Sequence, residues 1–139
     1  MKRSKPIRKS AKSLKNNLWK VFSEYIRMKD ANEMGYVKCI SCPAVKHWKD
    51  MQAGHCIPKS LGLSIYFEEK NVKPQCPSCN IAYQGNQYRF VEALKKIYGP
   101  DIEEELKSQQ SIIRQIKKWE YLELIEKYKT LVDGLNGRF

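Results

Sequence analysis

Two cysteine pairs of the same spacing constrain this chain more than any other feature in it. Cys39 and Cys42 enclose two residues in "CISC", and Cys76 and Cys79 repeat that spacing in "CPSC". A C-x-x-C turn lets two thiolates grip one cation from a single tight loop, and two such turns complete a tetrahedral Zn²⁺ shell. Four sulfurs leave no open coordination position, so zinc held there is structural. The total of five cysteines is odd, which argues against a disulfide framework. Cys56 is the fifth; on a strand next to His55 it should point to the opposite face and serve as core. A plain zinc ribbon has about 15–20 residues between its pairs. Here residues 43–75 intervene, 33 in all, so the ion would pin both ends of a sizeable insert.

That insert carries the unusual residues. "MQAGHCI" (51–57) reads as an extended stretch stopped by Pro58, with His55 on it, and "YVKCI" (36–40) as a short strand entering the first cysteine turn. "NVKPQC" cannot be helix interior, because Pro74 has no N–H and restricts Lys73. "SLGLSIYF" contains Gly62 and reads as a loop with a strand-like end; "KHWKD" reads as a polar loop that puts His47 on the surface. Trp48 on that loop either stacks on an unpaired base or packs on the first helix.

Helices frame this centre. Leu14, Leu18, Val21, Phe22, Tyr25 and Ile26 keep a helical rhythm, with Ser13 as N-cap and Gly35 as the stop. A helix should open at or just after Cys79. Another runs from an N-cap at Asn86 to Tyr98, with Phe90, Leu94 and Ile97 on one face. "DIEEELKS" begins acidic after Pro100, as a first turn should, while "SIIRQIKKW" is ambiguous. "EYLELIEKYKTLVDG" is amphipathic, with Leu124, Tyr128, Leu131 and Val132 inward and Gly134 as its stop. The chain therefore reads as α+β: residues 1–12 a basic arm, and 13–139 one domain with a helix (13–34), a core (35–85) and C-terminal helices (86–139).

The formal net charge is +11 over 139 residues, and eight Lys or Arg with no acid fall within the first twenty. Such a field attracts polyanions, and an arm of this kind suits DNA phosphates. No segment is long and apolar enough to span a bilayer, and no apolar run follows the charged N-terminus as in a secretory signal. A reducing cytosol is the expected compartment.

"GHCIPKS" followed by "NVKPQCPSCN" resembles the core of HNH nucleases, a ββα-metal unit, and its zinc-stapled form resembles phage endonuclease VII. The blocks "LWKVFSEYIRMKDA", "CISC", "QAGHCIPKS", "NVKPQCPSCN" and "QGNQYRFVEALKKIYG", with the Leu/Tyr-rich last helix, resemble the phage NinG (Rap) recombination family over most of residues 18–133. The resemblance implies a phage-encoded hydrolase in the bacterial host cytoplasm, a DNA-binding endonuclease for Holliday junctions and D-loops. It implies His55 on the hairpin, Asn71 near its end and Asn80 at the start of the helix as the working set. HNH enzymes usually place Asp or His directly before the histidine as a metal ligand; this chain has Gly54, which fits the NinG pattern. Asp50 and Gln52 share its strand parity and are the candidate substitutes.

Within that reading, His55 titrates near neutral pH and takes the proton of an attacking water. Asn80 offers a carbonyl oxygen suited to Mg²⁺ or Mn²⁺, and Asn71 ties down the loop that orients His55. Tyr88 and Arg89 are candidate DNA contacts. A homodimer is expected, because a symmetric junction needs two cuts, and phage or host recombination proteins are further expected partners. The rival readings are a non-catalytic zinc module that binds DNA or bridges recombination proteins, and an HNH nickase on ordinary duplex.

Overall fold

The computed structural model describes residues 6–58, 62–84, 86–112 and 114–139. The first five residues of the basic arm, residues 59–61 after Pro58, Gly85 and Ile113 lie outside the described residues. The chain is α+β, as its sequence implies: two small antiparallel sheets are framed by helices.

Helix α1 spans Ala11–Lys29. It begins earlier than the sequence suggests, because Ser10 rather than Ser13 is the cap; the Ser10 hydroxyl accepts from the Ser13 amide at 3.1 Å. It also ends before Gly35. The Asn32 carboxamide takes the amides of Met34 and Tyr36, both at 3.0 Å, and folds residues 30–35 into a turn. Gly35 closes that turn at φ +84°, and the His47 ring stands where a Cβ would be. The buried stripe Leu14, Leu18, Val21, Phe22 and Ile26 packs on helix α5 (Lys118–Asn136) through Tyr121, Ile125, Tyr128 and Val132. Phe22 meets Tyr128 edge to face, with centroids 5.0 Å apart.

Strand β1 (Tyr36–Lys38) pairs antiparallel with β2 (Val45–His47), Tyr36 opposite His47. β2 lies in the segment expected as a polar loop; its exposed face disguises it, since only the hairpin ladder needs it. Strand β3 (Gln52–His55) pairs antiparallel with β4 (Val72–Gln75), in the register Gln52↔Gln75, Gly54↔Lys73, His55↔Val72. Pro74 is accommodated opposite Ala53, and its carbonyl accepts from the Ile40 amide at 2.9 Å.

Between β3 and β4 lies helix α2 (Leu63–Tyr66), a single turn where a strand-like loop was expected. Its Ile65 is buried with Cys56 and Ile57 against helices α3 (Gln87–Tyr98) and α4 (Ile102–Gln110), through Phe90, Val91, Leu94, Ile102 and Leu106. Two inward assignments fail. Ile97 is 56% exposed and Leu131 37% exposed; each lies about one residue's rotation outside the stripe its helix buries. Among the described residues of "SIIRQIKKW", none before Lys118 is helical, and α5 passes Gly134 to end at Asn136. No helix among the described residues is long and apolar enough to cross a membrane.

Candidate functional site

The two cysteine turns meet. The Sγ atoms of Cys39, Cys42, Cys76 and Cys79 all lie within 4.8 Å of one another. A tetrahedron with Zn–S bonds of about 2.3 Å has sulfur–sulfur edges of about 3.8 Å, and Cys42 Sγ stands 3.7 Å from Cys76 Sγ. Amides already point at the sulfurs: Ser41 N and Cys76 N donate to Cys39 Sγ at 3.4 and 3.3 Å, and Asn86 Nδ2 to Cys79 Sγ at 3.6 Å. The electrostatics ask for a cation. Burial pushes the Cys39 thiol up and that of Cys79 up to about 12. Burial opposes the Cys76 thiolate too, but hydrogen bonds led by the Cys79 amide outweigh it and bring that thiol down. Four thiolates cannot coexist in so small a volume without positive charge. The donor set, the spacing and the charge all fit a structural zinc ion, which these four residues would hold. Among the described residues this is the single group of three or more His, Cys, Asp or Glu that could hold a metal.

Asn86 departs from its expected role. It precedes α3 but makes no side-chain cap; it sits at φ +45° and turns its amide to Cys79 Sγ and the Ser41 carbonyl. The second cysteine turn continues as a π-type turn, Ser78–Ala82, which carries Asn80.

His55 ends β3, half-buried. Its Nε2 lies 2.9 Å from the Tyr66 carbonyl. A carbonyl only accepts, so Nε2 carries the proton, and a neutral imidazole in that tautomer has its lone pair on Nδ1. The ring stacks on Trp19 of α1 at 5.1 Å and meets the Tyr66 ring edge-on at 5.3 Å. Lys15, one helical turn before Trp19, holds its ammonium 4.4 Å above the centre of the Tyr66 ring. Trp19 and Lys15 were missed in the sequence because they lie on the helix stripe that reads as core or solvated face.

Asn71 is fully buried and bonds only backbone. Its Oδ1 accepts from Ile57 N at 2.8 Å, and its Nδ2 donates to Ile57 O at 3.0 Å and Ile65 O at 3.1 Å. It thereby staples α2, whose last residue supplies the carbonyl under His55. Asn71 here holds backbone together, with its side chain sealed from solvent.

Asn80 and Gln52 come together: Asn80 Nδ2 donates to Gln52 Oε1 at 2.6 Å. Gln52 and Gly54 share one face of β3, and His55 projects from the other. The contacts of His55 therefore run to α1 and α2, while those of Asn80 run to the opposite face of the strand. Asp50 does not share that face. It is exposed at the end of the 3-10 turn Trp48–Asp50, before the strand begins, so strand parity does not extend to it.

The remaining candidates resolve simply. Cys56 is buried among apolar side chains, and burial pushes its thiol up to about 11. Trp48 packs on the first helix: the Arg27 guanidinium lies 5.2 Å from its ring centre and donates to its carbonyl at 3.2 Å. His47 is structural, accepting from Lys49 N at 3.2 Å and packing on Tyr36. Tyr88 and Arg89 are exposed on α3 beside the first cysteine turn, and Arg89 also lies near the second.

No curated protein and no solved structure shows significant similarity to this chain. A family model described as "Bacteriophage Lambda NinG protein" matches residues 1–137. That match spans both cysteine turns, the His55 strand and all the framing helices, so the chain belongs to the bacteriophage lambda NinG family.

Proposed function

We propose that this protein is a divalent-metal-dependent endonuclease of the HNH type that cuts branched DNA during phage recombination. The observation that carries the reading is the state of His55: a carbonyl fixes its Nε2–H and an indole fixes its plane, which prepares Nδ1 as a base. The order of elements also supports it, since β3, β4 and the helical turn at Asn80 follow the ββα sequence of that nuclease class.

In the proposed reaction His55 Nδ1 takes a proton from water as the water oxygen bonds to phosphorus. The bond from phosphorus to the 3′ oxygen then breaks, leaving a 5′-phosphate, and the departing 3′ oxygen takes a proton from solvent water to become a 3′-hydroxyl. Trp19 and the Tyr66 carbonyl hold the ring for that transfer, and Asn71 holds the carbonyl. A bound Mg²⁺ or Mn²⁺ would supply positive charge to the DNA backbone on the face of β3 opposite the His55 ring. Asn80 and Gln52 would hold it through carboxamide oxygens; with its nitrogen given to Gln52, Asn80 has its oxygen for the cation. A charge of +11 supplies affinity for phosphates irrespective of sequence, so junction shape supplies the selectivity. The cytoplasm of the host cell is the place of action, and a homodimer would deliver the paired cuts.

One observation favours a second reading. Residue 54 is glycine, and among the described residues His55 belongs to no group of three or more His, Cys, Asp or Glu that could hold a metal. A zinc module that binds branched DNA without cutting it would look the same there. Purified protein, a four-way junction and a linear duplex of the same sequence, with Mg²⁺ or Mn²⁺, separate the possibilities. Preferential cutting of the junction supports the proposal. Tight binding with intact strands under both ions supports the accessory module, and equal cutting of both substrates supports a duplex nickase.

A further inference from the structure

Gly54 is buried, and the space where its side chain would stand is taken. A Cβ built on it would run into Oε1 of Gln75 and lie 3.0 Å from Gln75 Cδ. Gln75 is itself fully buried on β4, directly across from Gln52. Residues paired across an antiparallel ladder share a face, so Gln52, Gly54 and Gln75 line one side of this sheet. Asn80 reaches that side through its bond to Gln52. The orientation of Gln75 is fixed by its other end, because Nε2 donates to Ser41 Oγ at 2.9 Å, inside the first cysteine turn.

We propose that Gln75 takes the place of a side chain at position 54, so that the oxygen presented beside the Gln52–Asn80 pair comes from β4 instead of β3. This inference deepens the reading above: it names Gln75 as a third carboxamide facing the cation. The half-buried Gln52 and Asn80 form the lip of this site and Gln75 its floor. Three neutral amide oxygens bind a hard cation more weakly than a set containing carboxylates, and the tuning of such sites follows ligand charge. Because Ser41 lies between two zinc cysteines, the tether makes the position of this oxygen depend on the folded cysteine turn. Glycine at 54 is then a steric requirement of the site, and any larger residue there must expel Gln75.

The test uses the full chain loaded with zinc, and the variants Gly54→Asp, Gln75→Ala and the two combined. Thermal melting reads the space, and Mn²⁺ titration followed by electron paramagnetic resonance reads the oxygen. Gly54→Asp alone should melt several degrees below wild type, and adding Gln75→Ala should recover most of that loss. Gln75→Ala alone should weaken Mn²⁺ binding about threefold or more, while the double variant, with a carboxylate in the vacated space, should bind about tenfold tighter than wild type. Gly54→Asp melting with wild type, or losses that simply add in the double variant, would overturn the steric pairing. Mn²⁺ affinity unchanged across all four proteins would reduce Gln75 to packing and overturn its role toward the cation. Neither readout needs DNA cleavage, so failure of the nuclease reading and failure of this one are separable.

Discussion

Asn71 has no charge and no exposed surface, yet the orientation of His55 passes through it. Its carboxamide joins Ile57 to Ile65, and Ile65 precedes the residue whose carbonyl accepts the hydrogen bond of His55 Nε2–H. Truncating it removes three hydrogen bonds to buried backbone, those to the amide and carbonyl of Ile57 and to the Ile65 carbonyl, so Asn71→Ala should lose about 2–4 kcal/mol of stability, measured by urea unfolding. A loss under about 0.5 kcal/mol would show that the loop finds other partners. Cys56 gives a prediction with a defined pH window. Burial raises its folded-state pKa to about 11, above the ordinary thiol value of 9.0. Between those values the unfolded chain loses the proton first, so stability present below pH 9 declines as pH rises toward 11. Urea midpoints taken from pH 8 to 11 should fall less steeply for Cys56→Ala than for wild type. Parallel slopes would contradict a buried neutral thiol.

At the scale of elements, α1 has two tasks. Its buried stripe docks α5, and the adjoining Trp19 walls the His55 ring. Phe22 is fully buried where both tasks meet, touching Tyr128 and Phe67. Phe22→Ala should therefore cost about 3–5 kcal/mol in chemical unfolding; a loss under about 1 kcal/mol would mean that α5 is not held through this contact. The same elements show what the sequence could and could not reveal. The cysteine turns were legible because C-x-x-C spacing is local and means one geometry. The α1 and α5 stripes were legible because helical periodicity repeats over many residues. Strand β2 and helix α2 were not: each is three or four residues long, too short to show a period, and each exists because a neighbour pairs with it or packs on it. The place of Asn80 beside Gln52, and of Gln75 over Gly54, depends on the register of β3 against β4. A shift of one residue would reverse every face, and nothing local in the sequence states that register. Asp50 was misassigned for the same reason, since parity was counted through a turn.

At the scale of the molecule, the four-cysteine cluster joins segments that no large core unites. The apolar residues divide into a cluster between α1 and α5, one between residues 56–65 and α3–α4, and one around the cysteines themselves. A zinc ion held there would supply folding energy to the centre of the domain. Cys39→Ser, or chelation of wild type, should release bound zinc and abolish the cooperative melt of the central sheets, while far-ultraviolet dichroism keeps part of the α1–α5 signal. A variant that melts like wild type, with no zinc in either, would show that the four sulfurs hold no structural ion. The β3–β4 hairpin and the helix wall converge on one imidazole, and the most direct measurement addresses it. His55→Ala and wild type are compared for binding and for cutting of a labelled four-way junction in Mg²⁺. The account predicts equal binding and a loss of cleavage of at least about a hundredfold in the variant. Cleavage that survives His55→Ala at the wild-type rate would contradict it.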